Sequence, residues 1–207
     1  VEPVDDLLDR KYLDGAFREA LRDGGLDIYD RSIELGVKMF RQENVQLGAD
    51  DEKLSNEYTR TIAAMTVTYK GEEVTLSGMS KYLADPDRAV REEAFRLVSS
   101  RRLLDAEALD AVFDKMVALR DKVSLNADFE NYRDYMHVGK ERFDYTPEDC
   151  LAFGENVKQY IVPAMRKINE HRRHKLGVDT LRPWDTSVDL DGADAFEPFT
   201  DAAGHVD

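Results

Sequence analysis

The feature that most constrains this chain is a segment where two strand patterns and a tight turn interrupt an otherwise helical sequence. Met65–Tyr69 alternates and is β-branched, Lys70-Gly71-Glu72 can form a turn, and Glu73–Leu76 resumes the strand pattern. This order predicts a β-hairpin at about residues 65–76. Because an isolated two-stranded hairpin is only marginally stable in water, we expect it to pack against the surrounding helices.

Helical periodicity dominates the rest of the chain. Apolar residues recur every three to five positions with charged residues between them, which is the pattern of amphipathic helices. The predicted helices are 5–23, 27–47, 50–64, 77–84, a helix opened by Asp85-Pro86, 105–125 and 146–175. We therefore expect a mainly α fold with one embedded hairpin.

Glycines and acidic residues mark several predicted helix boundaries. Gly48 is expected to end the second helix, and Asp50 or Asp51 to cap the third. The aromatic segment 126–145 is expected to be rich in loops, and 178–207 to be an acidic loop region.

The best-defined predicted helix begins at Thr146. Thr146 is a favourable cap and Pro147 suits the first helical position. Pro163 falls inside this helix and is expected to kink it. Gly177 is expected to end it.

The charge balance disfavours several classes of partner. The 207 residues include 29 basic and 43 acidic side chains, a net charge of −14. Such a chain repels phosphate backbones and anionic membrane surfaces, so we expect neither nucleic-acid nor membrane binding. Cys150 is the single cysteine and cannot form an internal disulfide. The N-terminus has no apolar signal core, and we expect a cytoplasmic protein.

Histidines are the first candidates for metal ligands. The chain has four of them: His137, His171, His174 and His205. His171 and His174 lie three residues apart and share a helix face, so they could hold a metal. They could also belong to a basic helix end that balances the helix dipole, and the arginines between them favour this interpretation. Neither H-E-x-x-H nor its reverse occurs, so we predict no catalytic and no metal-binding residue in this chain.

Three other groups allow both a functional and a structural interpretation. Cys150, at a predicted helix start, could act as a nucleophile with His137 as its base, or could be structural. The aromatic residues of 129–145 could line a peptide groove or belong to the core. A set of arginines could bind an acidic group or form a solvated, self-paired helix face: Arg88, Arg91, Arg101 and Arg102.

An ordered series of short motifs runs from the hairpin to the tryptophan. The series consists of Gly71-Glu72, Thr75-Leu76, Leu83–Arg88, Val90-Arg91, Ala94, Asn131–Tyr135, Arg142–Asp149, Val162-Pro163, Leu176-Gly177 and Pro183–Asp185. Over about Leu54 to Asp185, this order resembles the part of oligoendopeptidase F-type (thimet-like) zinc metallopeptidases that precedes their zinc motif. The leading helices of residues 1–50 match less clearly.

The resemblance implies the multi-helix N-terminal lobe of a zincin-type oligopeptidase. In that family one zinc ion, held by H-E-x-x-H and a later glutamate, activates water to hydrolyse short peptides. This chain would supply the lobe and part of the channel wall, with zinc bound only in the complete protein, and would be inactive alone. The substrate-binding residues and the oligomeric state stay open.

The resemblance also suggests how the chain is organised. We divide it into leading helices at 1–50, a helical lobe with the hairpin at 51–177, and an acidic region at 178–207 that leads into a catalytic part. We expect the natural protein to continue past Asp207. The alternatives are a free-standing helical scaffold that binds a protein partner, and a family member that has lost catalysis.

Overall fold

The computed structural model describes residues 3–191. The predicted mainly α fold with one embedded hairpin is confirmed. The elements are α1 (Pro3–Leu13), α2 (Arg18–Leu21), a π-helical turn (Arg22–Leu26), α3 (Asp27–Met39), α4 (Gln42–Ala63), β1 (Thr66–Tyr69), β2 (Glu72–Thr75), a 3₁₀ helix (Gly78–Ala84), α5 (Arg88–Leu104), α6 (Ala106–Asn126), α7 (Tyr132–Gly139), α8 (Pro147–Asn156), a second π-helical turn (Val157–Ile161), α9 (Val162–Lys175) and a short 3₁₀ turn (Pro183–Asp185).

The described residues form two compact units, each built from two stretches of sequence. The first unit contains the residues up to Ala64 together with Asp105–Gln159. The second contains Met65–Leu104 and the described residues from Tyr160 onward. No helix among residues 3–191 is long and apolar enough to cross a membrane. The division into 1–50, 51–177 and 178–207 stays a prediction.

In the first unit, α4 packs along α6, and α3 contacts both α1 and α7. Polar side chains join α4 to α6: Asn44 donates to the Val123 carbonyl at 3.0 Å and accepts from Asn126 at 2.8 Å. Asp30, on α3, is buried and accepts two hydrogen bonds from Arg18. Arg18 lowers the pKa of Asp30, so this buried carboxylate stays charged at neutral pH.

The second unit contains the predicted hairpin. β1 and β2 pair antiparallel, with Val67 opposite Val74. Lys70 and Gly71 form the two-residue turn with positive φ angles of 52° and 86°, as a type I′ hairpin turn requires. The buried face of β1 packs on the 3₁₀ helix and α5 in a cluster made of Val67, Tyr69, Met79, Ala94 and Val98.

Several predicted boundaries were wrong. Gly48 does not end a helix, because α4 runs through it, and neither Asp50 nor Asp51 is a cap. The break falls at Phe40 and Arg41, whose backbone is extended. At this break the Arg41 guanidinium donates hydrogen bonds to the carbonyls of Lys38 and Phe40, at 2.9 and 2.8 Å.

Two further boundaries also differ from the prediction. A break at Asp14–Phe17 separates α1 from α2 within the predicted helix 5–23. The predicted loop at 126–145 contains α7, whose N-cap Asn131 accepts a hydrogen bond from the Asp134 amide. Asparagine is among the best N-cap residues, and this cap is the signal that the sequence reading missed.

The helix that starts at Thr146 was predicted correctly. Thr146 and Asp149 form a reciprocal capping box, with Pro147 in the first turn. The irregularity expected near Pro163 is a π-helical turn at Val157–Ile161, just before the proline. The helix ends at Gly177, whose φ is 64°.

Candidate functional site

The histidine pair lies at the basic end of α9. His174 Nε2 is 2.9 Å from Glu170 Oε1, and Arg173 binds both oxygens of the same glutamate. Arg173 holds the pKa of Glu170 below its usual value. Arg172 donates to the Val188 carbonyl at 2.7 Å. The two histidines therefore belong to a basic helix end whose arginines bind backbone carbonyls and the carboxylate of Glu170. This fits the interpretation that the basic residues balance the helix dipole.

The structure offers no metal centre in the part of the chain that it describes. No group of three or more histidine, cysteine, aspartate and glutamate side chains within residues 3–191 could hold an ion. His205 lies outside the described residues.

Cys150 and His137 do not form a catalytic pair in this structure. Cys150 is exposed in the first turn of α8. His137 is buried on α7, and its Nε2 lies 2.7 Å from the Tyr145 carbonyl, to which it donates. The His137 ring also meets the Tyr145 ring edge to face at 5.4 Å. Since Nε2 donates its proton to this carbonyl, it is not free to accept a proton from the Cys150 thiol.

The aromatic residues of 129–145, which could line a groove or belong to the core, fall into separate groups in the structure. Phe129, Tyr132 and Tyr135 form one ring cluster, with centroid distances of 5.4 Å and 5.8 Å to Tyr135. Phe143 instead lies under Arg31, 4.1 Å from its guanidinium carbon, and Tyr145 packs on His137. Tyr132 and Tyr135 of the first cluster line a cavity.

That cavity lies within the first unit and has a volume of about 710 Å³. Its walls come from α3, α4, α6 and α7, and its apolar lining includes Met39, Val45, Leu119, Tyr132 and Tyr135. Volumes of roughly 300–1,000 Å³ are typical of small-molecule sites. Burial raises the pKa of both tyrosines, so their hydroxyls stay neutral at pH 7.

Both arginines that line the cavity form ion pairs with carboxylates of the chain. Arg41 donates to Asp128 at 2.6 Å, and Arg120 binds Asp51 through two hydrogen bonds of 2.9 and 3.2 Å. Arg120 also lies 5.7 Å from the Tyr132 ring centroid. Sequence reasoning did not find this cavity, because its walls come from helices that are distant along the chain.

Two arginines of α5, Arg88 and Arg91, bind an acidic group that belongs to the chain itself. Asp185 is fully buried and accepts from Arg88 Nε and Nη2 at 2.8 and 2.9 Å. Arg91 is also buried and donates to the carbonyls of Trp184, Asp85 and Pro86. The prediction that Arg91 lies on a solvated face was therefore wrong.

Arg88 has the largest effect on the pKa of Asp185, followed by burial, by the Arg182 backbone amide, which donates to Asp185 at 2.9 Å, and by Arg91. The ion pair with Arg88 lowers the pKa of Asp185 against the opposing effect of burial. The Phe95 and Trp184 rings pack at 5.5 Å next to this network. The network of Arg88, Arg91 and Asp185 joins residues 183–185 to α5. Neither Arg88 nor Arg91 is therefore available to bind an acidic group of a ligand.

The helix that runs from Pro147 to Lys175 exposes large apolar side chains. Between 37% and 70% of each of these residues is accessible: Leu151, Phe153, Tyr160, Ile161, Val162, Met165 and Ile168. Leu151 and Phe153 lie two positions apart and Tyr160–Val162 are consecutive, whereas an amphipathic surface helix confines its apolar residues to one stripe. We call residues 147–175 the exposed helix.

Comparison with known proteins places these features in a family context. The sequence model of peptidase family M3 matches residues 81–200. The fold is similar to an oligoendopeptidase F crystal structure, with 26% identity and a TM-score of 0.84 over 89% of this chain and 33% of that one. A search of curated proteins gave no match.

Two more crystal structures give the same result. An oligoendopeptidase F structure from Bacillus anthracis str. Ames is 25% identical, with a TM-score of 0.83 over 89% of this chain and 35% of that one. PZ peptidase A with inhibitor 2 is 26% identical, with a TM-score of 0.84 over 89% and 34%. The chain thus spans about a third of the length of these relatives.

Proposed function

The chain belongs to peptidase family M3, and on this basis we propose that it is the N-terminal helical lobe of a zinc-dependent oligoendopeptidase. The observation that carries the proposal is the likeness of 89% of the chain to about a third of three such structures. The lobe would form part of the channel wall, and it would not hydrolyse peptides by itself.

The residues of this chain do not fit a catalytic zinc ion. The described residues contain no group of three ligands, and the sequence has no H-E-x-x-H. The two histidines closest in sequence stand among arginines, whose charge opposes a divalent cation. Zinc in the complete enzyme would therefore be held by polypeptide beyond the 207 residues, and we assign no catalytic step to this chain.

The exposed helix supports the assignment to a lobe. Apolar side chains around a whole helix are normally buried, and large exposed apolar surfaces mark places where another part of a protein docks. A helical scaffold that functions alone has no reason to leave Phe153 and Tyr160 at 70% and 63% accessible. The remainder of an oligopeptidase would cover them.

We extend the proposal to substrate and location. Short peptides would be the substrates of the complete enzyme, because a lobe that walls a channel restricts access by folded proteins. The strongly acidic chain suits neither nucleic acid nor an anionic membrane surface. A lone, exposed Cys150 thiol is compatible with the reducing cytoplasm.

The test is the intact mass and zinc content of the protein isolated from its native source, with hydrolysis of a fluorogenic peptide as readout. We expect a mass well above 23.7 kDa, bound zinc and chelator-sensitive hydrolysis. The recombinant 207-residue chain serves as the control and should be inactive.

Two results would overturn the proposal in different ways. A native mass of 23.7 kDa without zinc would identify a free-standing scaffold. A longer native chain without H-E-x-x-H and without hydrolysis would identify a family member that has lost catalysis.

A further inference from the structure

The cavity of the first unit has features that a packing defect does not explain. Gly48 lies inside α4, where glycine is less favourable than alanine by about 1 kcal/mol. A Cβ added at Gly48 would meet no atom within 4 Å, so a larger residue would fit without a clash. An unfilled cavity also lowers stability. A glycine beside this open space leaves room for something from outside to enter.

The polar groups of the lining indicate the charge of that occupant. Ser32 and Asn44 are already bonded to backbone carbonyls, and both arginines are paired with carboxylates of the chain. Glu52 and Glu141 also line the cavity and are exposed, and neither carboxylate has a hydrogen-bond or ion-pair partner among residues 3–191. The remaining free charge at the cavity is therefore negative.

The apolar side chains of the lining indicate what kind of uncharged group the ligand carries. Tyr132 and Tyr135 stack with an interplanar angle of 26°, next to the flexible thioethers of Met39 and Met136. Aromatic faces attract organic cations, and methionine sulfur packs favourably against aromatic rings. The net charge of −14 further raises the local concentration of cations around the chain.

We propose that this cavity binds a small organic cation, consisting of an apolar, preferably aromatic, body that carries one ammonium group. The ring packs between the tyrosines and methionines, and the ammonium group lies at the mouth near Glu52 and Glu141. This proposal does not depend on the function proposed above.

Methyl NMR of the 207-residue chain with ¹³C-labelled methionine tests the proposal. Two of the six methionines, Met39 and Met136, line the cavity. Met79 is fully buried in the second unit and Met165 is exposed, so they report on unfolding and on non-specific binding. The probe is phenethylammonium, with neutral 2-phenylethanol and anionic 3-phenylpropionate as matched controls.

Saturable shifts of the Met39 and Met136 methyls alone are expected, with affinity decreasing from the cation to the alcohol to the carboxylate. Glu52→Gln and Glu141→Gln should each weaken cation binding about two- to fivefold and leave the alcohol unaffected. Absence of saturation, equal shifts at Met165, or a carboxylate that binds as tightly as the cation would overturn the proposal.

Gly48→Leu provides an independent check. The leucine side chain should fill the cavity, abolish the shifts at Met39 and Met136, and leave Tm unchanged or higher. Retained binding in this variant would place the ligand elsewhere and contradict the proposal. If the variant does not fold, the two glutamate substitutions decide the question.

Discussion

The hairpin core and the exposed helix contain similar apolar side chains, but their environments are opposite. Met79 is 0% accessible between the hairpin and α5, whereas Met165 is 47% accessible. Both segments have helix or strand patterns that local signals predict well. The difference teaches that secondary structure follows from local sequence, whereas burial depends on what the rest of the polypeptide supplies.

The largest effect should come from Asp185→Ala, which leaves buried Arg91 without its carboxylate partner. Breaking a buried pair by removing one member costs about 3–5 kcal/mol. Trp184, the only tryptophan, lies beside the network, so its fluorescence during urea unfolding reports on the second unit. Glu92→Ala, which removes the half-buried partner of the exposed Arg96, is the control and should cost less than about 1 kcal/mol. Equal losses of unfolding free energy in the two variants would mean that burial does not make the Arg91–Asp185 pair more important than the Arg96–Glu92 pair.

A pair of methionine substitutions sharpens the comparison directly. Met79→Ala should lower the free energy of unfolding by about 2–5 kcal/mol, because it creates a cavity in the hairpin core. Met165→Ala should change it by less than about 0.5 kcal/mol, because the side chain is exposed. Denaturant titration measures both. A large loss for Met165→Ala would show that the exposed helix is covered in solution, for example by a second copy of the chain.

Lowering the pH should reproduce part of the loss of stability that Asp185→Ala causes. The pKa of Asp185 is lowered in the folded state, chiefly by Arg88. Its contribution to stability is therefore fully present above the unfolded pKa of about 3.9 and is lost as the pH falls through the lower folded pKa. Asp185→Asn lacks this titration. We expect the difference in urea midpoint between the two proteins to shrink below about pH 4, and a constant difference would contradict the assignment.

A smaller effect than that of the buried positions should come from Thr146→Ala. Loss of an N-cap side chain costs about 1 kcal/mol. Because α8 has few buried contacts, the loss should appear as lower helicity by circular dichroism rather than as global unfolding. Thr146→Ser retains the hydroxyl and should behave like the original protein. A cooperative loss of the whole fold would show that the exposed helix carries more stability than its accessibility indicates.

The parts of the fold that the sequence predicted are those determined by neighbouring residues. Lys70-Gly71 sets the hairpin turn, Thr146-Pro147 starts a helix and Gly177 ends it, each through its own backbone preferences. Gly48 misled the prediction because glycine only weakens a helix, and packing of α4 on α6 outweighs that preference.

The candidate sites were less predictable because they depend on distant pairs. The burial of Arg91 requires Asp185, 94 residues later. The cavity requires α4 to meet α6 and α7, which no local pattern encodes. The histidine pair could be judged from sequence, since its arginine neighbours lie on the same helix.

The Arg91–Asp185 contact also has a consequence for synthesis. The hairpin and α5 leave the ribosome well before Asp185, since 94 residues separate Asp185 from Arg91. At about 5–20 residues per second, Arg91 waits roughly 5–20 s for its partner. During that interval Arg91 has only its local acceptors, the carbonyls of Asp85 and Pro86, so its hydrogen-bond set is completed only after translation has passed Asp185.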